Sequence, residues 1–526
     1  STKIAVLGNL AIAILCYFCV FSNRTNFTNA SLIGVCDFVC KLAKDNHDPD
    51  EKHEHSKEYK RVNYLLLLIA FTIGFINLGL EVIWTKVLTL IIGSSTYSLT
   101  IILIAVLGGI SLGAFMLNYL IKIIDKFNLS YKSFLNYSLL SFACLITISS
   151  SFFNKAPWYF LNLNQTIENI LGYSPWLLSN IIKFMSIAAI IIPVTAFEGL
   201  IFAFVLYLVS GKTNMIENRK LEPVGTRVSK ASYINTFGAI TGSFLTGFVL
   251  IPLFSKFGSG TYGCLITLIC IAFALALFTN LYDSKFNPLA IATIIACLLS
   301  INFLPKLDAN EISSGIAVYK GMKYKSITKK DYKRAISEQI LMHEEGINSI
   351  VTVVENKAAN AIFLKTNGKI EAGMPINPED PSKADMTTQV LLGQLPIFVK
   401  PNIEKALLIG MGSGISHKSL LKIGAKAQLK QVEVCEIEEL VYKAAGKYFN
   451  AVMTKDYGPI KLNHHMADAR NFLIANKTKQ GAGTLYDLII SQPSDPWISA
   501  NLFTEEFWQL ASSNLNEDGI FEQWIQ

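Results

Sequence analysis

Through residue 304 the chain is built of long apolar runs separated by short polar breaks; beyond residue 305 the runs shorten and turn residues multiply. The long runs cover residues 4–21, 64–91, 97–120, 134–153, 177–209, 231–254, 262–281 and 288–304. A bilayer crossing takes about 20 apolar residues, so the pattern predicts eight spanning segments. Lys3 ahead of the first run is a signal-peptide feature, but no small-x-small cleavage site follows within residues 16–25, and a retained anchor is expected. The fifth run carries Pro193 and Gly199 near its middle and predicts one kinked helix.

In the second part the periodicity changes. Residues 349–355 and 361–366 read as strands, and Asn367-Gly368 before Lys369-Ile370-Glu371 is a strong hairpin signal, which predicts a small β-subdomain over residues 318–375. A helix carrying Val390, Leu391, Leu392 and Leu395 leads to Pro396. A short strand at 405–409 then runs into Gly410-Met411-Gly412-Ser413-Gly414, with a helix over 416–423. Glycines at a strand-to-helix turn let backbone amides approach a ligand at the helix N-terminus. A second strand, 431–435, ends in Glu436, 24 residues after Gly412, where a Rossmann-like sheet holds the hydroxyls of a ribose. Further strands are expected from Ile460, over 486–491 and over 519–525, with Thr504 capping the last helix ahead of Glu505 and Glu506. Gly412, Glu436, Asp468, Gln492 and Asp495 all fall at or just past the carboxyl ends of these strands, the ligand edge of an open α/β sheet.

Four stretches follow: an anchor helix and charged loop (1–62), a multipass transmembrane domain (63–304), a linker with a β-hairpin subdomain (305–400) and a Rossmann-like domain (401–526). With 51% apolar and 16% charged residues, composition agrees with a membrane protein and excludes an ordinary soluble one. The net charge of +7 is modest for 526 residues and gives no case for a nucleic-acid partner; the partner it implies is the lipid bilayer. The positive-inside rule puts Lys57, Lys60 and Arg61, then Lys122, Lys126 and Lys132, then Lys212, Arg219, Lys220, Arg227 and Lys230 on one side. Counted onward, the spans set the C-terminal domain on the other side, whereas a cytoplasmic nucleoside as ligand sets it in the cytoplasm. A cytoplasmic domain is expected, which requires the fifth run to cross twice or the last not to cross.

Of nine cysteines, six lie in apolar runs and Cys435 at a strand end, so no disulfide framework is expected. Cys36, Cys40, His47, His53 and His55 have ligand chemistry, but their spacing matches no tight zinc pattern; a charged, solvated linker is the preferred reading and no metal is expected. Gly108, Gly109, Gly113, Gly238, Gly242 and Gly247 predict close helix approach. Glu81 and Glu198, at membrane depth, read either as a proton or cation path or as packing groups, each protonated or paired with Asn77, Lys86 or Asn235, and packing is preferred.

Residues 345–526 resemble the spermidine synthase (polyamine aminopropyltransferase) family, and residues 62–304 resemble the membrane part of its fused multipass-membrane relatives. The residues that carry this are Leu80-Glu81-Val82-Ile83-Trp84-Thr85-Lys86, Asn235-Thr236-Phe237-Gly238, Leu502-Phe503-Thr504-Glu505-Glu506-Phe507 and Gln523-Trp524. The fold class implied is a polytopic α-helical membrane domain joined to an α/β Rossmann-like domain of class I methyltransferase type with a small N-terminal β-subdomain. The resemblance implies binding of decarboxylated S-adenosylmethionine or S-adenosylmethionine, with Gly410, Gly412 and Gly414 along the nucleoside, Glu436 on the ribose and Asp468 on the adenine amino group. It also marks departures. Gln492 stands where the family's fourth strand ends in a catalytic Asp, Thr388 and Gln389 where it has Tyr and His, and Ser413 where its glycine loop has Asp. An amide cannot deprotonate an amine; Asp495, three residues on, reads either as a substitute base or amine anchor or as a helix cap in Ser494-Asp495-Pro496. The family's sheet continues past the fifth strand and this sequence ends on it, so either the sequence continues beyond residue 526 or another protein subunit covers that open edge, and the latter is the expected partner.

Three functions compete on these residues: an alkyltransferase for aminopropyl or methyl groups, a catalytically silent subunit of a membrane complex, and a transporter that uses Glu81 and Glu198 with the soluble domain as regulator.

Overall fold

The computed structural model describes residues 53–172, 176–211, 223–281, 288–315, 328–346, 348–377, 386–450, 456–478, 485–493 and 499–525. The expected anchor at 4–21, the Cys36, Cys40 and His47 group and the loop carrying Asp495 lie outside them.

The first part is a helical bundle: α1 (His53–Ile92), α2 (Thr96–Lys126), α3 (Tyr131–Ser150), α4 (Ala156–Leu171), α5 (Trp176–Val209), α6 (Val224–Phe244), α7 (Ile251–Lys256), α8 (Gly260–Leu281) and α9 (Pro288–Phe303). Among the described residues, six helical stretches are long and apolar enough to cross a membrane: Val62–Ile92, Thr96–Lys126, Tyr131–Leu171, Leu177–Val209, Val224–Lys256 and Gly260–Leu281. The last apolar run forms α9, shorter than a usual span at 16 residues. The fifth run is one continuous helix around Pro193. Proline lacks only one helical donor, and here the neighbouring helices hold the segment in place. The third stretch extends through a short 3-10 turn into α4, an element the hydrophobic pattern did not single out.

Backbones in this bundle meet at glycines. A Cβ on Gly113 would collide with the carbonyl of Ala196, on Gly199 with that of Ile110, and on Gly238 and Gly242 with the carbonyls of Phe71 and Phe75. Gly108 differs, since nothing lies within 4 Å of where its Cβ would be, and Gly247 meets only the Val82 side chain at 3.8 Å. Those two do not make the close approaches expected of them. The rise of contact partners, 71 with 238 then 75 with 242, makes α1 and α6 parallel, and the same holds for α2 and α5. Between α6 and α7 the backbone makes a π-helical stretch, Leu245–Leu250.

The polar pairs expected inside the bundle are not the ones formed. Asn235 Nδ2 donates to the Ala70 carbonyl at 2.9 Å, Lys86 reaches out of the bundle to Gly346, and Glu198, 4% exposed, has one carboxylate oxygen with no hydrogen-bond partner. Asn77 Oδ1 is likewise buried without a partner.

After helix α10 (Lys329–Ile336), a four-stranded antiparallel sheet runs β1 (Gln339–Glu345), β2 (Ile350–Asn356), β3 (Ala361–Thr366) and β4 (Lys369–Pro375) in sequence order. Asn367 and Gly368, at φ 49° and 79°, make the two-residue turn of positive φ that right-twisted strands prefer. Strand β1 was not anticipated: its Gln339-Ile340-Leu341-Met342-His343-Glu344-Glu345 lacks clean alternation, and a bulge between Ile340 and Met342 accounts for that.

Helix α11 (Met386–Val399) leads to a six-stranded sheet. The remaining elements are β5 (Lys405–Ile409), α12 (Ile415–Gly424), β6 (Gln431–Glu436), α13 (Glu439–Tyr448), β7 (Asp456–Tyr457), β8 (Ile460–Met466), α14 (Ala469–Thr478), β9 (Tyr486–Ser491), α15 (Glu505–Ser512) and β10 (Leu515–Gln523). The order is β10-β9-β5-β6-β8-β7, parallel except for the two-residue β7. Strands β5 and β9 are buried on both faces, which is why they read as uninterrupted apolar runs. Leu392, Leu420 and Leu421 cover one face and Leu473, Phe507 and Ala511 the other. The last strand starts four residues earlier than the glycine at 519 suggested, and β10 is an edge of the sheet.

The two parts touch directly. Leu90, Ile312 and Ile350 form a shared apolar cluster, and Ser255 and Thr261, on either side of the α7–α8 turn, bond to Glu345. Asn154, after α3, donates to the Lys306 carbonyl at 2.7 Å. These contacts use the helix ends opposite to those bearing Lys122, Lys126, Lys132, Arg227 and Lys230.

Candidate nucleoside site

Strand β5 hands the chain to a loop in which Gly410, Gly412 and Gly414 have φ of 84°, 52° and 76°, values only glycine adopts without strain. The turn is pinned by Gly410 N to Cys435 O and Gly414 N to Met411 O, both 2.8 Å. Across from it Glu436, 6% exposed, accepts from Met411 N at 2.8 Å through Oε2 and from Glu438 N at 2.9 Å through Oε1. Burial pushes its carboxyl above the usual range, against the downward pull of the backbone amides of Met411, Glu438 and Ile437. A carboxylate has about four lone-pair sites, so with these three amides about one remains for a ligand's hydroxyl.

These groups border a cavity of about 530 Å³ at the carboxyl edge of the sheet. Gly410, Gly412, Glu436, Asp468 and Gln492 line it together, so five of the seven residues singled out from sequence share one space. Gly414 is not part of the lining, and Asp495 lies outside the described residues. Asp468 Oδ1 also caps α14 by accepting from Asn471 N at 2.9 Å. Sequence reasoning missed Glu371 on β4 and Glu438, the N-cap of α13. The signal for Glu438 was present, since an acid just ahead of a helical run is a capping pattern; nothing local marked Glu371.

The residues that depart from the family pattern are tied to one another. Gln389 Nε2 donates to the Gly373 carbonyl at 3.0 Å, and its Oε1 accepts from Ser413 Oγ at 2.5 Å, so the amide joins the β-subdomain to the glycine loop. Gln492 Nε2 donates to the Gly410 carbonyl at 2.8 Å. A carboxylate could not make that bond, because it has no proton to give. Thr388 is exposed and takes no part in the wall.

The charge of the wall is one-sided. Glu371, Glu436, Glu438 and Asp468 line the cavity, and among the described residues no Lys, Arg or His does. With Trp524 also in the wall, the site suits a ligand that carries positive charge and a flat ring.

The family model of the spermine/spermidine synthase domain matches residues 386–524. The C-terminal region is therefore a domain of that type, with the Rossmann-like sheet described above. The chain is 29% identical over 131 residues to a polyamine aminopropyltransferase of Clostridium acetobutylicum, covering 25% of this chain and 43% of that protein. To the polyamine aminopropyltransferase of Thermotoga maritima it is 31% identical over 133 residues (25% and 42%), and to spermidine synthase 2 of Datura stramonium 31% over 133 residues (25% and 39%). The chain thus spans about two fifths of the length of the curated relatives it matches. Among solved structures, the crystal structure of spermidine synthase from Thermotoga maritima aligns at 25% identity over 35% of this chain and 56% of that one, with a TM-score of 0.29.

Proposed function

We propose that the C-terminal domain binds an S-adenosylmethionine-type sulfonium nucleoside, decarboxylated S-adenosylmethionine in the first place, and transfers its aminopropyl group to an amine. The observation that carries this reading is a cavity wall with four carboxylates and, among the described residues, no cation, beside a glycine loop whose Met411 amide bonds the buried Glu436. Glu436 would hold the ribose, the loop from Gly410 to Gly414 the chain of the nucleoside, and Asp468 the adenine amino group. In the transfer the amine lone pair attacks the carbon next to sulfur. The carbon–sulfur bond breaks, its electron pair leaves with neutral methylthioadenosine, and the nitrogen gives up a proton to a base or to water. Carboxylates stabilise the sulfonium on binding and lose that attraction as it is neutralised, so in-line placement of the amine has to supply the acceleration.

A second reading, a nucleoside-binding but catalytically silent subunit, is favoured by Gln492, whose donor nitrogen occupies the strand tip where a proton acceptor is needed. Calorimetric titration with decarboxylated S-adenosylmethionine, S-adenosylmethionine and methylthioadenosine tests the shared part. Binding should weaken at least about tenfold in Glu436→Ala, the effect of losing a charge-assisted bond. Absence of binding to all three ligands would sink both readings. Release of methylthioadenosine with an added polyamine acceptor then separates the enzyme from the silent subunit.

The helical part would sit in the bilayer, in keeping with its six long apolar helices. Its Lys/Arg-bearing helix ends lie opposite the soluble domain, and the positive-inside rule would then place that domain on the non-cytoplasmic face rather than in the cytoplasm as expected from its nucleoside. Labelling of a single cysteine introduced at exposed Lys357 by a membrane-impermeant maleimide on intact cells decides it: labelling supports the non-cytoplasmic face, and labelling only after lysis supports the cytoplasm.

A further inference from the structure

Lys86 lies six residues before the end of α1, and its ammonium donates to the Gly346 carbonyl at 2.7 Å, 260 positions along the chain. Glu345, just before Gly346, is gripped from the helical side. Its carboxylate accepts from Thr261 N at 2.8 Å and from the Thr261 hydroxyl, and its carbonyl accepts from Ser255 Oγ at 3.3 Å. On the other side of Gly346 the partners belong to the cavity. Asn348 N and Ser349 N donate to Glu438 Oε2 at 3.2 and 3.0 Å, and Asn348 Nδ2 donates to the Ile437 carbonyl at 3.2 Å. Glu438 N is in turn held by Glu436, whose other oxygen holds Met411 of the glycine loop. A run of hydrogen bonds therefore leads from a helix of the bundle, through a strap that includes Glu345, Gly346, Asn348 and Ser349, to the carboxylate read as the ribose ligand.

Two glycines permit this arrangement. A Cβ on Gly346 would run into the Glu438 carboxylate, and one on Gly260 into that of Glu345. The strap is also cavity wall, since Asn348 and Ser349 line the cavity beside Glu436 and Glu438. An ammonium within Coulombic reach of both Glu345 and Glu438 offsets part of the repulsion among the carboxylates gathered there.

We propose that Lys86 is a positioning residue for the nucleoside cavity, holding from within the helical domain the strap that orients Glu438 and Glu436. The proposal rests on the nucleoside reading and adds to it that the site is completed by the helical domain. Coupling of this kind is reciprocal, so an occupied cavity steadies the end of α1.

The test uses the full chain in detergent micelles, with Lys86→Met, which keeps the apolar stem without the donor, Lys86→Arg, which keeps a donor, and Gly346→Ala, which breaks the strap from the other end. Amide hydrogen exchange across 348–349 and 411–414 and titration with methylthioadenosine are measured on each. Loss of one hydrogen bond from a charged donor is expected to raise exchange in both segments and weaken binding about tenfold in Lys86→Met and Gly346→Ala. Lys86→Arg should restore most of both, which an effect on helix stability alone would not. Wild-type affinity in Lys86→Met, or unchanged exchange at 348–349, overturns the proposal. So does an arginine variant no better than the methionine. If the wild-type protein binds neither methylthioadenosine nor decarboxylated S-adenosylmethionine, the nucleoside reading fails and takes this one with it, an outcome distinct from normal binding that ignores Lys86.

Discussion

The two halves of the molecule fix their backbones by different means. In the helical half, close approach is achieved by leaving side chains out: Gly113, Gly199, Gly238 and Gly242 each set a helix against a neighbouring carbonyl. In the soluble half it is achieved by polar side chains that reach across, such as Gln389 between Gly373 and Ser413, Gln492 onto Gly410, and Glu438 onto Ser349. With the helical half in the bilayer, as proposed above, the contrast follows from solvent. Between helices in lipid there is no hydrophobic gain from burial, so contact area and small residues decide. A sheet edge next to water can satisfy its loops with amides and carboxylates. The difference shows how to read a substitution in each half: volume decides in the first, and the partner left behind decides in the second.

The sharpest way to break this comparison lies in two glycines of one helix. Gly113→Leu should destabilise the bundle by at least about 3 kcal/mol, because the new side chain meets the Ala196 carbonyl and the Leu200 amide, neither of which can rotate away. Gly108→Leu, one turn earlier, should leave stability within about 0.5 kcal/mol, since its Cβ points into open space. Thermal unfolding of the purified protein followed by helical signal checks both. Equal losses would mean that glycine matters here for backbone conformation and not for approach.

How much of this was legible in the sequence differs between the halves for the same physical reason. Strands β5 and β9 were found at their observed ends because a parallel strand buried on both faces is a bounded apolar run. The turn at Asn367-Gly368 was legible because few residues accept positive φ. Gly412 and Glu436 were found together because strand, loop and terminal acid are a local pattern. Which glycine of the Gly108-Gly109 pair meets a neighbour was not legible, since a helix's rotation is set by other helices. Nor was Lys86, whose partner is 260 residues away. At Gln492 the sequence showed a missing base; only the structure shows the hydrogen bond to Gly410 that an amide makes and a carboxylate does not.

Among the described residues both halves bury ionisable groups with unpartnered polar atoms, Glu198 Oε2 in the bundle and both ring nitrogens of His417 on α12, and the second offers a smaller, graded test. His417 is fully buried, with the ring of His464 5.5 Å away edge-on, and Tyr442 packs edge-on against His464 at 5.1 Å. Burial, with a smaller contribution from His464, pushes the His417 imidazole down to about 3; burial likewise lowers His464. The folded state therefore keeps His417 neutral, whereas the unfolded chain takes up a proton below about 6.5. Its share of stability is fully present above that value and is lost as pH falls towards 3, at up to about 1.4 kcal/mol per pH unit. The soluble half should unfold more readily at about pH 4.5 than at about pH 6.5, and His417→Leu should remove about that slope while leaving the bundle's response unchanged. Denaturant midpoints read separately for the two halves check it. A leucine variant with the wild-type slope would mean that His417 is hydrated or paired in solution, and that the soluble half satisfies its buried polar groups more completely than its side-chain contacts show.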